Sequence, residues 1–196
     1  MYYHATNKKG LRELKPFVSN HKEAYCYFSD KRENILIYLS NPIKKFCEET
    51  NKYTQDKYNW FSPYGFDING KLVYFEYCEN LLYDTYYGVS GYIYYVESDE
   101  GMETLPQIRN VFINKNRVKP IKVEYIEDAY SEILKEKEKG NIAIIWYKDL
   151  TEEQKKNIKK LVLDDYNNNP NDLATRYYYE EHFDFVKTQK KKVIVK

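Results

Sequence analysis

The dipeptide Asn69-Gly70 constrains the fold of this chain more than any other pair of residues. Both residues tolerate the positive φ that a tight two-residue turn demands, and the stretch that follows, "KLVYFEY", is rich in β-branched and aromatic side chains. An antiparallel hairpin is therefore expected around residue 70, with its second strand running from about Lys71 to Tyr77. Elsewhere the hydrophobic period switches repeatedly. "AYCYFSD", "GYIYYVE", "IRNVFI", "PIKVEYI" and "NIAIIWY" read as strands. Leu11 and Leu14 suggest a short helix that stops before Pro16. Asp30 with Glu33 has the spacing of a capping box, opening a helix that carries Ile35, Tyr38 and Leu39 on one face and closes at Asn41-Pro42. "NPIKKFCEETNKY" and "CENLLYDTY" read as further short helices, and "ESDEGMETLPQ" as an acidic loop.

Later in the chain the helices lengthen. Ile126, Tyr130, Ile133 and Leu134 recur at helical intervals, and Gly140 can terminate that element. Thr151 and Gln154 form a second capping box, ahead of a helix with Ile158, Leu161, Val162 and Tyr166 on its inner face. A last helix turn and strand are expected in the tail. The strands cluster without a regular βαβ alternation, so the fold class expected is α+β. With 196 residues and 42% hydrophobic content, the expectation is a single domain over 1–196. Charge narrows the partners: 31 basic against 30 acidic residues leave no global field to draw the chain onto nucleic acid or an anionic membrane. No apolar run approaches the roughly 20 residues of a membrane span, and a cytoplasmic protein is expected. Cys26, Cys47 and Cys78 contain no CxxC pair and suggest neither a disulfide framework nor a metal site. The 23 tyrosines carry no weight as a group.

Two of them carry weight individually. "YHAT" at 3–6 and "YFSDKRENILIY" at 27–38, a strand, a short helix and a second tyrosine eleven residues after the first, resemble two signature motifs of the ADP-ribosyltransferase superfamily. The resemblance is to its histidine-tyrosine-glutamate branch, which includes diphtheria-type toxins and poly(ADP-ribose) polymerases. It covers roughly the first 40 residues by motif, and beyond them rests on the order of elements. It implies split mixed or antiparallel sheets with flanking short helices, a motif-bearing part over about 1–125, and a helix and strand extension over about 126–196.

The resemblance also implies chemistry. His4 would bond the adenosine-side ribose of NAD, Ala5 would bring its backbone to the nicotinamide carboxamide, and Thr6 would help anchor that amide. Ala5 stands where the family has glycine. Tyr27 and Tyr38 would sandwich the nicotinamide ring, each contact worth about 0.5–2 kcal/mol. Cleavage of NAD builds positive charge on the ribose, so a fixed carboxylate is needed there. The family supplies it as a glutamate at the start of a later strand. By order this falls near "EGMETLPQIRNVF", where Glu103 is the carboxylate at hand, Gln107 lies nearer the strand's start and Asn110 lies inside it. Glu124 and Glu127 rank lower. A transferase acting on a macromolecular acceptor, protein or nucleic acid, is one implied function. A noncatalytic binding module with a degenerate catalytic position is another, and an NAD-dependent enzyme acting on RNA a third, disfavoured by the balanced charge. Read from the residues alone, His21 and His182 are ordinary polar contacts, Glu76 with Glu79 an unspecific carboxylate pair, and "KTQKKK" a solvated run.

Overall fold

The computed structural model describes residues 1–18, 23–55, 58–61, 63–97, 100–105 and 110–188. The fold is α+β, and the chain divides into two compact units, each assembled from separated segments. The first comprises Met1–Leu39, Tyr64–Val73 and Tyr86–Ala143, and the second Ser40–Pro63, Tyr74–Thr85 and Ile144–Lys196.

Ten strands lie among the described residues: β1 (Tyr2–Thr6), β2 (Phe17–Val18), β3 (Ala24–Phe28), β4 (Tyr64–Phe66), β5 (Leu72–Phe75), β6 (Gly91–Val96), β7 (Glu103–Thr104), β8 (Phe112–Asn114), β9 (Lys122–Ile126) and β10 (Ile142–Ile145). The first unit holds two antiparallel sheets, of order β1-β6-β9 and β2-β3-β8-β7. A third sheet has the order β10-β5-β4. The Asn69-Gly70 hairpin forms as expected: Asp67 and Lys71 bond across it, and Gly70 takes a φ of +75°.

One core of the first unit lies between the sheets' inward residues, with Leu14, Cys26, Phe28, Tyr94, Val96 and Val118 buried together. Burying one such large apolar side chain contributes about 2–3 kcal/mol. On the opposite face of the four-stranded sheet, Tyr25, Leu105, Val111 and Ile113 form a second cluster, against which Tyr27 packs. Between β3 and the next element comes a 3₁₀ helix, Arg32–Leu39, with Ile35, Leu36, Ile37 and Leu39 all buried. The expected helix is there, but it winds more tightly and is covered on more than the one face that its spacing suggested. Gly91 makes its approach to β6 feasible, because a Cβ there would stand 2.5 Å from Leu39 Cδ2 and 3.3 Å from the Thr6 carbonyl. α3 (Ala129–Glu138) closes this unit and stops at Gly140, whose φ is +80°.

The second unit is mostly helical: α1 (Pro42–Thr50), α4 (Glu152–Asn168) and α5 (Leu173–His182), with much of α2 (Leu81–Tyr86). Ile43, Cys47, Leu81, Ile158, Val162, Tyr166, Ala174 and Tyr178 are among its buried residues. Asn41 does not merely end the preceding helix; its side chain accepts from Lys44 N and caps α1. The Thr151–Gln154 capping box closes in both directions, at 2.8 and 3.2 Å.

Several expectations fail. Ile126, read with the helix that follows, ends β9, and in place of the expected Asp30–Glu33 box the Ser29 hydroxyl accepts from Lys31 N at 3.2 Å. Residues around Leu11 and Leu14 are not helical, because Leu14 forms a backbone bridge with Val118 and is buried as a core residue. Leu161 is 57% exposed, off the inner face that Ile158, Val162 and Tyr166 define. The acidic loop contains a strand, β7, which pairs with β8. The final strand expected in the tail lies outside the described residues.

Candidate functional site

The site suggested by the sequence sits where β1 meets β3. Tyr3 and Ser29 exchange both backbone hydrogen bonds, at 2.8 and 3.1 Å, yet the pairing is confined to that bridge and the two strands belong to different sheets. One step along, the Tyr27 carbonyl accepts instead from the His4 imidazole, with Nδ1 at 2.8 Å. A carbonyl only accepts, so Nδ1 carries the hydrogen and Nε2 is left with a lone pair. Burial lowers the pKa of His4 below 6.5, against the opposing pull of the Tyr27 bond, so the ring is neutral at pH 7. The imidazole therefore keeps one acceptor nitrogen, in a largely buried ring, near the point where the sheets part.

His4 and Tyr27 meet through ring edge and backbone, not ring to ring. His4 lies on the side of Phe28, 5.8 Å between ring centroids, while Tyr27 projects to the opposite face beside Phe17 and Tyr25, at 5.8 and 6.0 Å. Tyr38, near the end of the 3₁₀ helix, is close enough to Tyr27 for the two phenols to interact electrostatically. Tyr64 on β4 lies close enough to interact with its hydroxyl. Burial, then Tyr64, push the Tyr38 phenol well above its ordinary range, so it stays a neutral donor at every working pH. Tyr64 has no signal in the sequence, since nothing in "SPYGF" points to a neighbour in a helix 26 residues earlier.

The two neighbours of His4 differ in access. Ala5 is buried, opposite Ile93 on β6. Thr6 is half-buried, and its Oγ1 accepts from Lys8 N at 3.3 Å.

The carboxylate question turns on β7 and β8. Glu103 stands opposite Ile113, which stands opposite Tyr27, so the three share one face of the sheet, with Glu103 about 10 Å from Tyr27 across two strand spacings. Glu103 is exposed, and beside it Tyr25 is held by Glu23 at 2.6 Å. Gln107 lies outside the described residues. Asn110 comes just before β8 with a left-handed φ of 58°, and its side-chain amide donates to the Gly70 carbonyl at 3.1 Å. Lys31 Nζ reaches the same carbonyl at 3.4 Å, which ties the hairpin tip to the start of β8. The next residue, Val111, is buried. The described residues leading into β8 thus carry an amide and an apolar side chain, not an acid.

Glu124 is committed elsewhere. Arg32 opens the 3₁₀ helix and grips Glu124 through Nε at 3.0 Å and Nη2 at 2.5 Å, Glu132 at 2.7 Å and Glu136 at 3.2 Å. The Tyr95 hydroxyl also donates to Glu124. Burial would raise the Glu124 pKa, but these bonds outweigh it and hold the carboxyl below its usual range. Glu136 is likewise held low against its burial by Lys139 and Asn141. The network fixes the start of the helix that carries Tyr38.

The other candidates resolve into structure. Buried Glu76 accepts from Leu82 N and Tyr147 N, each at 3.3 Å. Burial pushes the Cys26 and Cys78 thiols up to about 11 and about 12, far from a reactive thiolate. His182 donates through Nδ1 to the Tyr178 carbonyl at 2.9 Å and stacks on the Tyr178 ring at 4.1 Å. His21 lies outside the described residues, as does most of "KTQKKK". Among the described residues, no group of three or more His, Cys, Asp and Glu could hold a metal ion, and no helix is long and apolar enough to cross a membrane. Comparison with protein-family models, with curated proteins and with solved structures finds no match.

Proposed function

We propose that the first unit binds NAD in the manner the ADP-ribosyltransferase resemblance implies, as a binding module with little or no transfer activity. The observation that carries this reading is the parting of β1 from β3, where the neutral His4 ring, oriented by the Tyr27 carbonyl, keeps Nε2 as an acceptor, while the Tyr27 ring itself lies on the other face of β3. A ribose hydroxyl is a fitting donor for that nitrogen. Tyr27 and Tyr38, the latter braced by Tyr64, supply π faces for the nicotinamide ring. NAD is a substrate in the family and brings a glycosidic bond activated by the cationic ring. The residues of this chain bind and orient it.

Little transfer is expected because transition-state stabilisation needs a charge fixed before the reaction begins. The described approach to β8 presents Asn110 and Val111, and the exposed Glu103 has no rigid support of that kind. A second reading, a transferase using Glu103 on a macromolecular acceptor, draws on the shared face of Tyr27, Ile113 and Glu103.

Calorimetric titration with NAD and an assay of nicotinamide release separate the two readings. The binding module predicts saturable binding, a roughly 2- to 30-fold weaker affinity for Tyr38→Ala, and no release above the buffer rate. Release that Glu103→Gln abolishes establishes the transferase instead. Absence of NAD binding removes both.

A further inference from the structure

β9 is the last strand of its sheet, and no other described strand pairs with its outer edge. Its side chains alternate between two different surroundings. Lys122 and Glu124 lie on the face of Tyr95 and Arg32, with the Lys122 ammonium 4.5 Å from the Tyr95 ring centre. Val123 and Tyr125 lie on the other face, 51 and 57% exposed, while Ile121, just before the strand, donates its N–H to the Tyr95 carbonyl at 2.9 Å. That face continues a buried one. Across the ladder Val123 stands beside Tyr94, which is 1% exposed, and the Tyr125 ring lies 5.2 Å from that of Tyr92. The core that covers β1 and β6 stops one strand short.

The free backbone groups can be assigned from the ladder. Tyr3 spends its N–H and carbonyl on Ser29, so in β1 it is His4 whose backbone faces β6. Alternation then turns Tyr94 toward β1, and Ile93 and Tyr95 toward β9, where their partners are Glu124 and Lys122. Val123 and Tyr125 are left with N–H and carbonyl directed outward. An open edge with an uncovered apolar row is a template for another strand.

The sequence of β9 is complementary to itself in one register. Pairing two copies antiparallel about Glu124 would set like charges opposite each other. Pairing them about Val123 sets Val123 against its own copy and Lys122 against Glu124. In that register the outward-facing groups of the two Val123 residues meet as a hydrogen-bonded pair. We infer that β9 pairs with β9 of a second copy of this chain, antiparallel and centred on Val123, joining two three-stranded sheets into one of six across a two-fold axis.

Sedimentation velocity on the full chain, from low to high micromolar concentration, tests this. A 23.8 kDa species converts to one of twice that mass as concentration rises. Val123→Pro removes an outward donor without touching the bonds to β6, and weakens association roughly tenfold or more. The double variant Val123→Lys with Tyr125→Lys, which sets like charges on the apolar row, does the same. Both keep the circular dichroism spectrum of the parent and, at concentrations where the parent is monomeric, its melting midpoint. Lys122→Glu, which faces Glu124 of the second copy with a like charge, weakens association as well. A single 23.8 kDa species at every concentration overturns the inference. So does a dimer that survives both Val123 variants. A monomer that dimerises only when residues 189–196 are removed also overturns it, by assigning the edge to the chain's own tail.

Discussion

Replacing Arg32 with alanine leaves three carboxylates facing one another at the start of the helix that carries Tyr38. The side chains of Glu132 and Glu136 are 14% and 5% exposed, and that of Glu124 29%, so none is well placed to recover hydration in return. Removing one partner of a buried ion pair costs about 3–5 kcal/mol. Compensation is partial: Lys139 remains 2.8 Å from Glu136 and Lys135 3.5 Å from Glu132, while Glu124 keeps only Tyr95 and the more distant charge of Lys122. The expected loss is therefore near the lower end, about 3 kcal/mol, or roughly 6–12 °C in melting midpoint for a chain of this size. Urea unfolding at pH 7 and pH 4 measures it. Glu124 and Glu136 titrate below their ordinary values in the folded chain, so the stability they contribute is full above about pH 4.5 and is lost as pH falls through their folded pKa values. The wild type loses that contribution on acidification and Arg32→Ala has less to lose, so the deficit narrows at pH 4. Adding Glu136→Gln to Arg32→Ala restores part of the stability at pH 7. A deficit under about 1 kcal/mol, or one that does not change with pH, would mean that the cluster behaves as an exposed surface network and would refute the reasoning.

Three further outcomes are expected. Because the folded pKa of His4 lies below 6.5, the unfolded chain binds the proton more readily; stability is highest above about pH 6.5 and falls as pH drops from there toward the folded pKa, and His4→Gln flattens part of that slope, with His182 supplying another part. Gly91→Ala forces a methyl group against Leu39 and the Thr6 carbonyl, and chemical denaturation should record a loss of about 1–3 kcal/mol. Thr151→Ala opens the capping box of α4 and costs about 1 kcal/mol by the same measurement.

What could be read in the sequence was what is decided locally. The Thr151–Gln154 box is satisfied within three residues of itself, and Gly70 and Gly140 record backbone conformations that few other residues adopt. Decisions made at long range left little trace. Leu14 follows the period of a helix, yet its backbone is claimed by Val118, more than a hundred residues away. β7 is two residues of acidic loop made into a strand by β8 alone. The candidate site divides in the same way. The motif order named His4, Tyr27 and Tyr38, whereas the His4 bond to the Tyr27 carbonyl, the neighbourhood of Tyr64 and the Arg32 network arise from contacts that no local spacing encodes.

The most direct test of the central claim is a titration of the protein with NAD, followed by NMR on chains with isotope-labelled histidine and tyrosine rings assigned by single substitutions. Saturable shifts at His4, Tyr27 and Tyr38 together, with His182 unmoved, are what the account predicts. Resonances of those three rings that stay in place at saturating NAD, or that respond separately at different concentrations, would contradict it.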